Sequence, residues 1–146
     1  MALIHDPQTR TQIEQRVRAL TPDARATWGK MSVDQMLWHV NQAIGLSLGT
    51  VKVGPGSPPM PPWLLRFFVI NMPWPKGGPT HPDFVPKQQY DFEMERARLL
   101  EMIALLTARP MDGEWPKHPA FGRMSGRQVS TLAHKHLNHH LTQFGV

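Results

Sequence analysis

The fold of this chain is best read outward from residues 125–146, SGRQVSTLAHKHLNHHLTQFGV. Ser125 followed by Gln128 three residues later is the capping-box pattern that begins a helix. Phe144-Gly145 is typical of a helix end, because glycine readily leaves the helical conformation. An uninterrupted helical register lies between these two signals, so the stretch is predicted to be one long amphipathic helix.

This helix carries four of the eight histidines of the chain. His136 and His140 fall one turn apart, on the same face as the apolar residues Val129 and Leu132. An imidazole buried without a partner is costly, and one metal ion would satisfy both rings. The alternative is that a His-x-x-x-His pair merely decorates a solvent-facing helix.

Three further long helices are predicted over residues 7–20, 32–48 and 86–108. Ser32 and Gln35 form a second capping box, Pro22 cannot continue the first helix, and Pro86 suits a first helical position. Strands with alternating apolar and polar residues are not evident. The sequence therefore predicts an all-α protein, a four-helix bundle forming a single domain over residues 1–146.

The connection between the second and third long helices is rich in proline. Residues 50–85 contain nine of the fifteen prolines, so they cannot form a continuous helix. A short extra helix is predicted after Pro61-Pro62 and before Pro73. A long connection with its own packed element often covers or lines a functional site. Its aromatic side chains are expected either to close an apolar pocket or to serve ordinary packing: Trp63, Phe67, Phe68 and Trp74.

The best third ligand is His39, which lies near the margin of the apolar stripe of the second helix. Three imidazoles leave coordination positions open, a pattern typical of catalytic rather than structural metal sites. His139 is a candidate neighbour of the site, with helix packing as the alternative. His118 is a candidate at the mouth of the site, with a loop-structuring role as the alternative. The remaining histidines are predicted to face solvent: His5, His81 and His134.

Composition excludes several classes of protein. The 146 residues include 40% hydrophobic residues, as in globular domains, and no cysteine, so disulfides and thiolate metal sites are excluded. The net charge of +5 is scattered along the chain rather than clustered, which does not favour nucleic-acid binding. The longest apolar segment, residues 63–72, is too short to span a membrane. Without a signal peptide pattern, a cytoplasmic location is expected.

Four short motifs resemble those of a known superfamily: WGKMS at 28–32, QMLWHV at 35–40, HPAFG at 118–122 and HLNHHLTQFG at 136–145. Over residues 16–145 the chain resembles the DinB/YfiT-like metalloproteins. The resemblance implies a four-helix bundle with a long second-to-third connection. It also implies a three-histidine site for zinc, nickel or a similar divalent ion, which maps onto His39, His136 and His140.

The resemblance further implies an activity. Better-studied relatives are thiol-dependent transferases or isomerases that use glutathione, mycothiol or bacillithiol, and members often form homodimers. The leading hypothesis is therefore a metal-dependent enzyme that transfers a low-molecular-weight thiol to a small electrophilic substrate. The alternatives are a non-catalytic bundle that binds a metal or small ligand, and a metal-assisted hydrolase. Three imidazoles by themselves do not distinguish nickel from zinc.

Overall fold

A computed structural model describes residues 1–56 and 58–146 of the chain. These residues form five α-helices and one short 3-10 turn, with no β-strand among them. The helices are α1 (Pro7–Ala19), α2 (Val33–Leu48), α3 (Pro62–Asn71), α4 (Phe92–Ala108) and α5 (Gly126–Gln143), and the 3-10 turn is Pro82–Phe84. The predicted all-helical fold is confirmed.

The four long helices pack as a bundle in the cyclic order α1, α4, α2, α5. α2 contacts α4 and α5, and α1 contacts the same two helices. The short helix α3 packs on α5, and the 3-10 turn packs on α2. The core consists of apolar side chains at helical spacing, including Ile13, Val17, Leu37, Val40, Leu99, Ile103, Leu106, Leu137 and Leu141.

Both predicted capping boxes are present. The side chain of Gln35 accepts the Ser32 N–H at 3.0 Å, and that of Gln128 accepts the Ser125 N–H at 3.0 Å. These bonds satisfy main-chain donors that have no partner within the helix. They fix where α2 and α5 begin, and α2 and α5 are the helices that carry the candidate ligands.

The predicted start of the third long helix at Pro86 is wrong. α4 begins at Phe92, and the side chain of Asp91 caps it. The preceding residues are held in a non-helical conformation against the start of α2, where the Tyr90 N–H donates to Asp34 Oδ2 at 2.7 Å. Proline is compatible with a first helical position but does not require one. The contact with Asp34 therefore decides the boundary.

The short helix of the proline-rich connection is confirmed as α3, and it is fastened to α5. The Lys135 ammonium donates to three main-chain carbonyls at and after the end of α3, those of Val69, Ile70 and Met72, at 2.9, 3.0 and 2.7 Å. Last-turn carbonyls have no intrahelical partner, and a lysine at this position satisfies them. This anchor holds the connection over the part of α5 that carries the histidines.

Two histidines predicted to face solvent are instead engaged. The His81 ring donates from Nε2 to the Gly54 carbonyl at 3.0 Å, and this bond joins two parts of the proline-rich connection. The His5 ring lies 2.9 Å from Ser130 Oγ and 3.0 Å from the Arg109 carbonyl. Both lie in non-helical segments, where helical spacing gives no information about the direction of a side chain.

Within the part of the chain that the structure describes, no helix combines the length and the hydropathy needed to cross a bilayer.

Candidate metal centre

Three imidazole rings from two helices meet at one point. His39 Nε2 and His140 Nε2 each lie 3.0 Å from His136 Nε2. The ring centroids are 4.8 to 5.0 Å apart, and one ligand nitrogen from each ring lies within 4.8 Å of the others. The three histidines singled out in the sequence are therefore brought together.

Each ring reaches this point because of its position on its helix. His136 and His140 are one turn apart on α5, so their side chains project in the same direction. His39 projects from α2, which packs against α5. His39 and His140 are 4% and 7% exposed, and His136 has intermediate exposure as a residue, although its ring is buried deeply enough to lower its pKa.

Hydrogen bonds fix the tautomers of the two most deeply buried rings. His39 Nδ1 lies 2.9 Å from the carbonyl oxygen of Phe84, which can only accept, so this nitrogen carries the proton. His140 Nδ1 lies 2.7 Å from Gln143 Oε1. The Gln143 amide nitrogen donates to the Trp28 carbonyl at 2.8 Å, so its oxygen must face His140. Both rings therefore present an Nε2 lone pair to the centre.

This proton count leaves the cluster short of donors. His136 Nε2 can carry at most one hydrogen, yet it faces two lone pairs at 3.0 Å. If this nitrogen is protonated, it donates to one of the two rings and leaves the lone pair of the other without a donor; if it is not, neither lone pair has a donor. Charging a ring does not relieve this, because burial lowers the pKa of His140 to about 3 and holds the pKa of His136 well below its usual value, with further lowering from the neighbouring histidines. A cation, by contrast, would accept all three lone pairs.

The donor set fits a divalent transition metal. Zinc–imidazole bonds of about 2.0 to 2.1 Å at tetrahedral angles place two nitrogens about 3.3 Å apart. Two of the three nitrogen–nitrogen distances, 3.0 Å each, are close to that separation, and all three ligand nitrogens lie within 4.8 Å of one another. His39 and His140 also each donate the Nδ1–H group to an oxygen acceptor, as metal-binding histidines generally do.

Two of the four sequence motifs, those at residues 28–32 and 136–145, meet behind His140. Gly29 has a positive φ of +81°, and a Cβ atom at this position would lie 2.8 Å from Gln143 Nε2. The Thr27 N–H donates to the Gln143 carbonyl at 2.8 Å. The segment around Trp28 and Gly29 thus packs closely against the Gln143 amide and fixes its position. Gln143 in turn orients His140.

Sequence reasoning missed Phe84 and Gln143 as partners of the site. Gln143 could have been found, because it lies three residues after His140 on the same helix face. Phe84 could not, because its contribution is a main-chain carbonyl in the proline-rich connection. The connection therefore supports the site through a backbone atom, where only side chains had been expected to act.

His139 lies beside the cluster between two tryptophans. Its ring centroid is 5.1 Å from that of His140, 5.5 Å from Trp28 and 5.6 Å from Trp74. Trp74 also lies 5.5 Å from His136. Of the aromatic residues of the connection considered in the sequence, Trp74 is the one that the structure places against the candidate ligands.

The other sequence candidates lie elsewhere. His118 Nδ1 accepts the main-chain N–H groups of Ala120 and Phe121, and its ring stacks on Phe121 at 4.3 Å, which organises the loop before α5. Trp63 and Phe67 are 62% and 53% exposed on α3. In the described part of the chain, the rings of the cluster contact Phe84, Trp74 and His139 instead.

A protein-family model described as protein of unknown function (DUF1569) matches residues 8–145. The chain belongs to the DUF1569 family. The match spans every helix of the bundle except the first residue of α1, and it includes all three histidines of the cluster. Neither the curated proteins nor the solved structures give a match to this DUF1569 protein.

Proposed function

We propose that this DUF1569 protein binds a divalent metal ion through His39, His136 and His140. The observation that carries the proposal is the pair of Nε2 lone pairs, fixed by the Phe84 and Gln143 oxygens, that face the third ring at 3.0 Å. Zinc and nickel both suit three neutral imidazole nitrogens.

We further propose that the protein is an enzyme of the thiol-dependent transferase type that acts on small electrophiles. A divalent ion in such a site supplies Lewis acidity that lowers the pKa of a bound thiol. The resemblance of the four motifs to the DinB/YfiT-like metalloproteins favours a thiol over water as the activated group. His39 and His140 would hold the ion with rings that the Phe84 and Gln143 oxygens keep in place.

The experiment compares zinc-loaded, nickel-loaded and metal-free protein with glutathione and 1-chloro-2,4-dinitrobenzene as the thiol and the electrophile. Further low-molecular-weight thiols and unsaturated carbonyl compounds extend the panel. Consumption of thiol and electrophile should exceed the uncatalysed rate only when the metal is bound. His136→Ala should show only the uncatalysed rate. Turnover of a substrate without any thiol would contradict the transferase and support metal-assisted hydrolysis. Tight metal binding with no turnover across the panel would instead support a non-catalytic binding protein.

A further inference from the structure

A surface cleft of about 350 Å³ lies beside the histidine cluster, between α5 and the segments that contain Trp28 and Trp74. Its volume is within the range of small-molecule sites. The residues that line it include Trp28, Trp74, Lys76, Asn138, His139 and Thr142. Trp74 and His139 separate the cleft from the candidate ligands by one layer of side chains.

Flat rings form the apolar part of the cleft. Trp28 and Trp74 both lie against His139, with centroids 5.5 and 5.6 Å away. The Trp74 indole N–H donates to the Val69 carbonyl at 2.9 Å, which fixes the orientation of that ring. Rigid aromatic walls of this kind bind planar unsaturated groups at little cost in conformational entropy.

The polar part of the cleft is positively charged. No carboxylate lines it, and within residues 1–56 and 58–146 no acidic group lies within 4.0 Å of the Lys76 ammonium, which sits 4.9 Å from the Trp28 ring centroid. The second lysine of the cleft, Lys135, is already committed to the carbonyls at the end of α3. Lys76 is therefore the cation that remains for a ligand.

Two neutral side chains add hydrogen-bond donors. Arg16 donates to Asn138 Oδ1 at 2.7 Å and to Thr142 Oγ1 at 3.2 Å. With these oxygens engaged, the amide NH₂ of Asn138 and the hydroxyl hydrogen of Thr142 are the groups left to bind a ligand. The guanidinium behind them adds a further positive charge.

We propose that this cleft binds a small planar anion, an aromatic or unsaturated carboxylate, with its flat part against the aromatic rings and its charge at Lys76. The proposal names the substrate class of the proposed enzyme and rests on that function for any turnover. Binding in the cleft itself involves none of the three candidate ligands, so it can be tested without metal.

The test uses 2-naphthoate as the probe and 2-naphthalenemethanol as its neutral counterpart, with metal-free and zinc-loaded protein. Binding is followed by calorimetry and by the indole N–H signals in NMR spectra, assigned with Trp28→Phe and Trp74→Phe. The carboxylate should bind in both metal states and shift both indole signals. Lys76→Gln should weaken binding about fivefold, the effect of losing one exposed charge pair, and the alcohol should bind weaker by a similar factor. Lys87→Gln, at an exposed lysine outside the cleft, should leave binding unchanged.

Three outcomes would contradict the proposal, and a fourth would separate it from the proposed metal function. Equal binding of the acid and the alcohol, or an unchanged affinity in Lys76→Gln, would refute the claim that the cleft binds an anion at Lys76. Shifts confined to other indole signals would place the probe elsewhere. Binding that requires zinc would make the probe a metal ligand rather than an occupant of the cleft. Binding of the probe by a protein that takes up no metal would support the proposed cleft and refute the proposed metal function.

Discussion

Replacing Gln143 with leucine should damage the candidate metal site without removing a ligand. Gln143 is 3% exposed, and its amide bridges His140 Nδ1 at 2.7 Å and the Trp28 carbonyl at 2.8 Å. Leucine is similar in size but can neither accept nor donate, so it leaves a buried N–H without a partner. Such a loss costs about 1–3 kcal/mol, and we expect the free energy of unfolding of the metal-free protein to fall by about 2 kcal/mol.

Zinc affinity should fall as well. Without the Gln143 oxygen, the His140 ring is no longer held in the tautomer and orientation that present Nε2 to the centre. Loss of such a supporting bond weakens metal binding by about 10- to 100-fold.

Urea unfolding of the metal-free protein measures the first effect, and competition with a chromophoric zinc chelator measures the second. Gln15→Leu, an exposed glutamine on α1, is the matched control and should change neither quantity. Wild-type zinc affinity in Gln143→Leu would refute the argument from tautomers.

Three other predictions concern the supporting structure. Gly29→Ala and Gly77→Ala both place alanine at positive φ, and each should lower the free energy of unfolding in urea by about 1–2 kcal/mol. Only Gly29→Ala crowds the Gln143 amide, so only this variant should also weaken zinc binding in the chelator assay. Burial lowers the pKa of His118 to about 4, so the stability that its neutral ring provides should be lost as the pH falls from 6.5 to 4. His118→Asn keeps an acceptor for the loop but does not titrate. The urea midpoint of this variant should therefore fall less over that pH range than the midpoint of the wild type. Lys135→Met should speed amide hydrogen exchange in α3, because three carbonyls lose their donor, whereas Lys87→Met at an exposed position should not; equal exchange in both variants would show that this anchor does not hold α3.

The sequence allowed the bundle and the meeting of the three histidines to be predicted because both depend on local periodicity. Capping boxes at Ser32 and Ser125 fix two helix starts, and a spacing of four residues places His136 and His140 on one face. His39 lay near the margin of its predicted apolar stripe, yet it is 4% exposed. Packing of the 3-10 turn against α2 covers it, and helical periodicity does not describe that contact.

Features that depend on long-range contacts could not be read in this way. The start of α4 is set by a bond from Tyr90 to Asp34, 56 residues apart in sequence. The tautomer of His39 is set by a carbonyl at Phe84, 45 residues away, and every residue carries such a carbonyl whatever its side chain. The direction of the Gln143 amide depends on the Trp28 carbonyl, 115 residues away. In each case the deciding group is specified by the tertiary fold.

The metal-binding proposal is tested most directly by zinc titration of the metal-free protein, with elemental analysis of the dialysed product. Wild type should retain a single ion per chain, and His39→Ala and His136→Ala should lose it. His134→Ala, a histidine of the same helix outside the cluster, should keep the wild-type content. Equal zinc content in all four proteins, or none in the wild type, would contradict the proposal that these three imidazoles hold a metal ion.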